Sequence, residues 1–187
     1  MMKLLIMGPP GVGKGTQATL LKDQLKIVHL STGDILRSEI KKKSNIGLKA
    51  KSYMDAGKLV PDQVLLDIIN DRITERDCIE GYLLDGFPRT LNQAIGLDNI
   101  MSSIHHSLDS AISLVADSDE LVQRLIKRGI DSGRSDDTDE VIRNRQKIYW
   151  EETAPLLDYY KEKNILKEVN GIGDIKEITK RILEKIK

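Results

Sequence analysis

Five short apolar runs recur along the chain, separated by longer segments with helical spacing. They are Met2–Met7, Ile27–Leu30, Tyr82–Asp85, Ala111–Val115 and Ile165–Val169. Apolar runs of this length, bounded by helices, predict strands buried on both faces of a parallel sheet. Alternating strand and helix predicts a doubly wound α/β sheet with ligands at the carboxyl ends of its strands. Helix starts are also legible. Asp117 with Glu120 has the form of a capping box opening a helix through Arg128, and Thr90–Gln93 and Asp137–Glu140 have the same form. Pro61 fits the first position of a helix reaching about Arg76, and Pro155 predicts a break or kink near Thr153. Two segments exceed what a minimal sheet-and-helix core needs. Ser31 to Val60 is longer than one crossover, and Gly129 to Asp137 is rich in glycine and aspartate around Arg134. Both are predicted to be mobile pieces inserted over a site.

The first strand runs into Gly8-Pro9-Pro10-Gly11-Val12-Gly13-Lys14-Gly15-Thr16, followed by a helical segment from Gln17 to Leu25. Strand, glycine-rich loop and helix together are the context of a phosphate-binding P-loop. The glycines let backbone N–H groups turn toward an anion, and the helix N-terminus adds orphan donors and partial positive charge. Lys14 supplies a point charge for the outer phosphates. Gly15 stands where most P-loops place a serine or threonine, so a magnesium ion must be held differently.

Composition narrows the picture mainly by exclusion. The 187 residues suit one well-buried α/β domain with small insertions. Lys and Arg number 29, and Asp and Glu also number 29, so no global field favours nucleic acid or an anionic membrane. Aromatic residues make up 4%, which argues against base-stacking surfaces. No run has the apolar length of a membrane span, and the N-terminal run is too short for a signal peptide. Cys78 stands alone, without a disulfide framework or a cysteine zinc site. The expectation is a soluble cytoplasmic protein with Cys78 as a small, inert residue.

Further candidates cluster after predicted strands. Tyr82–Asp85 ends in a carboxylate, which suits a magnesium anchor and equally suits the cap of a turn. Gly86-Phe87-Pro88-Arg89 follows, with a glycine for close approach, a Phe87–Pro88 bond suited to the cis form, and an arginine able to fork onto phosphate. Ser31-Thr32-Gly33-Asp34 with Arg37 opens the first insertion, and a second arginine at Arg89 points to a second anionic ligand. Arg124 and Arg128 share a helix face, whereas Arg143 and Arg145 cannot both face one site. Arginines gathered around a P-loop suit phosphoryl transfer, in which charge must be neutralised and geometry fixed. His29, His105, His106 and Trp150 fall in no motif and are expected to be structural or surface residues, with Trp150 packed. Lys41-Lys42-Lys43 reads as a solvated helix face.

Taken together, these motifs resemble the adenylate kinase family in its short-lid form. The resemblance spans essentially the whole chain. It rests on residues 8–16, Leu30–Asp34 with Arg37, Gly57-Lys58-Leu59-Val60-Pro61-Asp62, Asp85–Arg89, Gln93, and Gly133-Arg134-Ser135-Asp136-Asp137. It implies the P-loop nucleoside-monophosphate-kinase fold: a five-stranded parallel sheet flanked by helices, in a single core domain (1–187). Residues 31–60 would be the monophosphate-binding insertion and 129–137 the short lid.

The implied reaction is reversible, Mg2+-dependent transfer of the terminal phosphoryl group of ATP to AMP, giving two ADP and serving adenine nucleotide homeostasis. By the same resemblance, Gly11, Val12, Gly13, Lys14, Gly15, Thr16, Arg124, Arg128 and the Gly173 region bind ATP. AMP falls to Thr32, Gly33, Arg37, Lys58, Leu59, Val60, Gly86, Phe87, Pro88, Arg89 and Gln93, with Arg134 and Arg145 closing over the phosphates. The groups at the point of transfer are Lys14, Asp85, Arg89, Arg128, Arg134 and Arg145. Magnesium is held by phosphate oxygens and by waters near Asp85. Gln93 has two competing uses, since its amide can close a capping box or read the adenine edge of AMP.

No base is needed, because the attacking atom of AMP is already an anionic phosphate oxygen. The lid segment lacks cysteine, so no structural zinc is expected. The expected partners are ATP, AMP and ADP, with no nucleic acid or membrane, and the protein is expected to be a monomer. A UMP/CMP kinase on the same scaffold is the nearest alternative, against which Thr32 and Gln93 favour adenine. A P-loop ATPase switch or assembly factor explains the loop and Asp85 but leaves Arg37, Arg89 and the first insertion idle. The guanine-reading Asn-Lys-x-Asp pattern of a GTPase is absent from the sequence.

Overall fold

The computed structural model describes residues 1–132 and 138–187, without the side chains of residues 118–120 and 129–132. Five parallel strands form one sheet in the order β2-β3-β1-β4-β5. They are β1 (Met2–Met7), β2 (Val28–Ser31), β3 (Gly81–Asp85), β4 (Ser110–Val115) and β5 (Leu166–Asn170). Strands β2 and β5 lie one residue later than the apolar runs predict, while β3 and β4 begin one residue earlier. Alternate side chains enter opposite layers. Leu5, Met7, Tyr82 and Leu84 join one buried cluster, whereas Leu4, Ile6, Leu83 and Ile112 join the other. Both faces are covered, which is why the strands read as continuous apolar runs.

Helices α4 (Asp62–Ile73), α5 (Leu91–Ser103) and α8 (Leu156–Glu162) contribute to the first layer. Helices α1 (Lys14–Leu25), α6 (Ser118–Ser132) and α9 (Ile175–Lys185) contribute to the second. The chain leaves β1 for β2, returns to β3 between them, and then crosses to β4 on the other side of β1. That reversal opens a crevice at the carboxyl ends of the central strands. Residues 31–60 form α2 (Thr32–Lys41) and α3 (Asn45–Asp55). Ser31 and Ser44 cap them, their side chains accepting from Asp34 N and Gly47 N.

Several local expectations shift. Pro61 lies at the N-cap rather than inside α4, which stops at Ile73, and a 3-10 turn over Arg76–Cys78 completes the connection. Helix α6 continues through Ser132 instead of ending at Arg128, because a single Gly129 costs too little to stop a helix. The segment 129–137 is therefore helical at its start. Residues 133–137, including Arg134 and the Asp137 half of one capping box, lie outside the described residues, as does the Glu120 side chain of another. Helix α7 (Asp139–Ile148) widens into a π-turn over Tyr149–Thr153 before Pro155, so the chain stays coiled while losing the N–H that proline lacks. Trp150, expected to pack, is 56% exposed and meets only the edge of Tyr149 among described rings. Cys78 is buried.

Candidate active site

The crevice is a cavity of about 810 Å³ lined from both sides of the reversal. On one side the P-loop leaves β1. Lys14 opens α1, and its Nζ donates to Gly8 O at 2.6 Å and Pro9 O at 3.1 Å. A Cβ on Gly8 would lie 2.5 Å from Leu114 O, so the loop presses on β4 at a distance only glycine allows. Gly13 faces open space, yet its φ of +98° is one that other residues rarely adopt. Burial lowers the Lys14 pKa from 10.5 to about 7; Asp85 opposes the shift, and Arg89, Arg145 and Arg128 reinforce it.

Asp85 ends β3 opposite Ile6 of β1 and Ser31 of β2. Its Oδ2 bonds His29 Nε2 at 3.1 Å and lies 3.9 Å from where a Gly15 Cβ would stand. The absent Gly15 side chain thus leaves room beside the carboxylate. Among the described residues no three His, Cys, Asp or Glu side chains converge as a metal site. A lone carboxylate beside an uncrowded P-loop fits a magnesium ion carried mostly by phosphate oxygens and water.

The opposite wall comes from residues 31–60 and the turn after β3. Thr32, Gly33, Arg37, Lys58, Leu59 and Val60 line the cavity. Arg37 Nη2 pairs with Asp34 Oδ1 at 2.6 Å and folds over Gly33. Gly86, Pro88 and Arg89 line it from β3, after a cis Phe87–Pro88 bond. Arg89 is held at three points. Its Nε donates to Gly86 O at 2.8 Å, its N–H to Gln93 Oε1 at 2.7 Å, and its carbonyl accepts from Thr153 Oγ1 at 2.9 Å. Arg124, Arg128 and Arg145 line the same space from α6 and α7, and Gly173 lies near its rim with Ile175.

Two expected positions fall elsewhere. Phe87 is fully buried in the first hydrophobic layer, because the turn at Gly86, with φ +79°, ends the strand alternation that sends Leu83 to the other layer. Gln93 is also fully buried and does not line the cavity. Thr90 Oγ1 caps α5 by accepting from Gln93 N at 3.1 Å, but the Gln93 amide reaches past Thr90 to Arg89 N. Its Nε2 donates to Asp62 Oδ1 at 2.7 Å. The half-box at Thr90 is therefore real, and the amide ties the arginine turn to the start of α4. Gln93→Leu leaves the Arg89 N–H and the Asp62 carboxylate short of a partner. The expected cost is about 2 kcal/mol of stability, read as a fall of roughly 4–8 °C in Tm.

His29, which falls in no motif and is expected to be structural or at the surface, has a structural part in the site. It lines the cavity and bonds Asp85. The strand register puts His29 opposite Leu83 and Ser31 opposite Asp85, so His29 and Asp85 are diagonal neighbours on one face. Its place two residues before Ser31 was the available signal, but the register with β3 was needed to read it. Gln17 was missed. It is buried on α1, donates to Ile175 O and accepts from Thr179 Oγ1, fixing α9 beside the rim.

A P-loop after the first strand, a two-helix insertion after the second, and arginines around one crevice define the P-loop nucleoside-monophosphate-kinase fold. Comparison with known proteins agrees. The family model described as adenylate kinase matches residues 6–165. The chain is 50% identical over 186 residues to an adenylate kinase of Leptospira biflexa, covering 100% of both chains. It is 48% identical over 183 residues to one of a Nocardioides species, covering 98% of this chain and 96% of the relative. Against one of Bifidobacterium longum it is 49% identical over 182 residues, covering 97% and 98%. The chain belongs to the adenylate kinase family. It is accordingly a phosphotransferase of the nucleoside monophosphate kinase type.

Proposed function

We propose that the chain transfers the terminal phosphoryl group of ATP to AMP, reversibly, giving two ADP. The observation that carries this reading is the single cavity joining the Lys14 P-loop to the bay of Arg37 and Arg89. An ATPase switch needs the first half only. In this reading residues 31–60 are the AMP-binding insertion of a single core domain and 129–137 its lid. ATP phosphates lie along Gly11 to Thr16 with Arg124 and Arg128, and its adenine lies near Gly173. The AMP phosphate lies between Arg37 and Arg89, beside Thr32, Gly33 and Gly86–Pro88, with the backbone of Lys58–Val60 along the nucleoside. Gln93 supports the acceptor side from behind, holding the Arg89 N–H against Asp62. Arg134 and Arg145 close on the phosphates.

An AMP phosphate oxygen attacks the γ-phosphorus. The new O–P bond forms as the bond from the β,γ-bridging oxygen breaks, and the electron pair leaves with ADP. Lys14 follows the moving group, while the arginines align and neutralise two anions that would otherwise repel. Mg2+, when bound, would supply charge neutralisation to the phosphates. Asp85, held by His29, would help hold it through water.

The reading extends to a cytoplasmic monomer, checked by gel filtration and fractionation. Among the described residues no helix is long and apolar enough to cross a membrane.

ADP formation from ATP should be rapid with AMP and slow with UMP, CMP, GMP or no acceptor. Faster turnover with UMP or CMP sinks the adenylate reading, and acceptor-independent phosphate release points to the switch. Thr32 beside Gly86, and relatives named adenylate kinase across the full chain, support adenine over pyrimidine.

A further inference from the structure

Helix α7 sends three consecutive side chains to three parts of the site. Arg145 lines the cavity. Asn144, before it, donates from Nδ2 to Ala56 O at 2.8 Å, and Gln146, after it, donates from Nε2 to Pro10 O at 3.0 Å. Successive helical residues point about 100° apart, so these two amides reach to either side of the arginine. One grips the first insertion, the other the P-loop.

The grip on the insertion is close. Ala56 is the C-cap of α3, where carbonyls lack partners within the helix, and Asn144 supplies a donor. Gly57 follows with φ +64°, and a Cβ there would lie 2.9 Å from Val141 Cγ1, 3.0 Å from Val141 O and 3.1 Å from Arg145 Cγ. The end of the insertion is therefore seated on α7 at a spacing that only glycine permits. Lys58, Leu59 and Val60 follow directly and line the cavity. Any force that lifts Gly57 from α7 moves that lining and Arg145 relative to each other.

We propose that Asn144 is a positioning residue. With Gly57 it latches the end of the 31–60 insertion to α7, setting Arg145 against the acceptor nucleotide. This rests on reading 31–60 as the segment that binds AMP. The latch acts through placement, so it bears on the acceptor more than on the donor, whose loop is held separately through Gln146 and Pro10.

Steady-state kinetics of the full chain test it, varying AMP at saturating ATP and then the reverse. Asn144→Ala is expected to raise KM for AMP about three- to tenfold, the scale of one partly exposed hydrogen bond, with KM for ATP within about twofold of the unaltered protein. Asn144→Asp keeps the shape but turns an oxygen toward the Ala56 carbonyl, so its KM for AMP rises more than that of the alanine variant. A residue that merely packs gives the opposite order. Gly57→Ala should raise the same constant, and the Gly57→Ala, Asn144→Ala pair should cost less than the product of the single effects, because one latch opens once. Melting curves identify a Gly57 variant that fails to fold, in which case the two Asn144 variants decide the matter. An unchanged KM for AMP in Asn144→Asp, or an equal rise for both nucleotides, overturns the latch while leaving AMP phosphorylation intact. Failure of the unaltered protein to phosphorylate AMP overturns the functional reading itself, and the latch with it.

Discussion

Lys14→Met lowers kcat for ADP formation by about three orders of magnitude, the cost of removing a charge that acts where charge moves. Lys14 is set by the P-loop rather than by an ion pair: its Nζ bonds two carbonyls, Gly8 O and Pro9 O. Methionine keeps the length and apolar stem but cannot follow the phosphoryl group. Loss of less than about tenfold, with Tm held within a few degrees, sinks the role. Without nucleotide, burial brings the Lys14 pKa down to about 7. Phosphates favour the charged lysine, so ATP binding above pH 7 takes up as much as one proton, and affinity weakens as pH rises toward 10.5. Calorimetry at pH 8.5 in two buffers of different ionisation heat reads this uptake as a difference between the observed heats, and equal observed heats in the two buffers would refute it. The lysine also biases stability. Between about pH 7 and 10.5 the unfolded chain holds a proton the native lysine has released, so this group makes stability rise with pH there.

Arg89→Ala lowers kcat/KM for AMP by about a hundredfold or more, as expected for a positioned guanidinium acting on phosphate. Three bonds to Gly86, Gln93 and Thr153 hold this residue before any ligand arrives. Binding of ATP alone, measured by fluorescent-analogue displacement, should change less than about threefold, because the P-loop is untouched. Arg89→Lys should recover little, since an ammonium has no planar fork. Unchanged AMP turnover in the alanine variant refutes the assignment. Equal loss of ATP binding would instead show that the substitution disturbed the whole crevice.

The five strands, the P-loop and the Asp85–Arg89 turn were legible because each depends on neighbours along the chain. Apolar runs, glycine spacing and a charge at a strand end are local patterns with local physical causes. The boundary errors have local causes too. Helix α6 runs past Arg128 because one glycine is a weak stop, whereas the helical pattern does give way near Thr153, where a π-turn precedes Pro155. Trp150 and Phe87 show a different gap. Whether an aromatic is buried depends on what lies across from it: Phe87 met the first core layer and Trp150 met solvent.

What the sequence alone determined is the chemistry available: a phosphate loop without its usual hydroxyl, a carboxylate after β3, and arginines enough for two anions. What only the tertiary structure decided is which groups meet. His29 finds Asp85 through the register of β2 on β3, Gln93 finds Asp62 through the packing of α5 against α4, and Asn144 finds Ala56 across 88 residues of chain. Each of these contacts joins separate elements of the fold. Periodicity states what one element buries, whereas register and packing between elements place its polar groups against a partner.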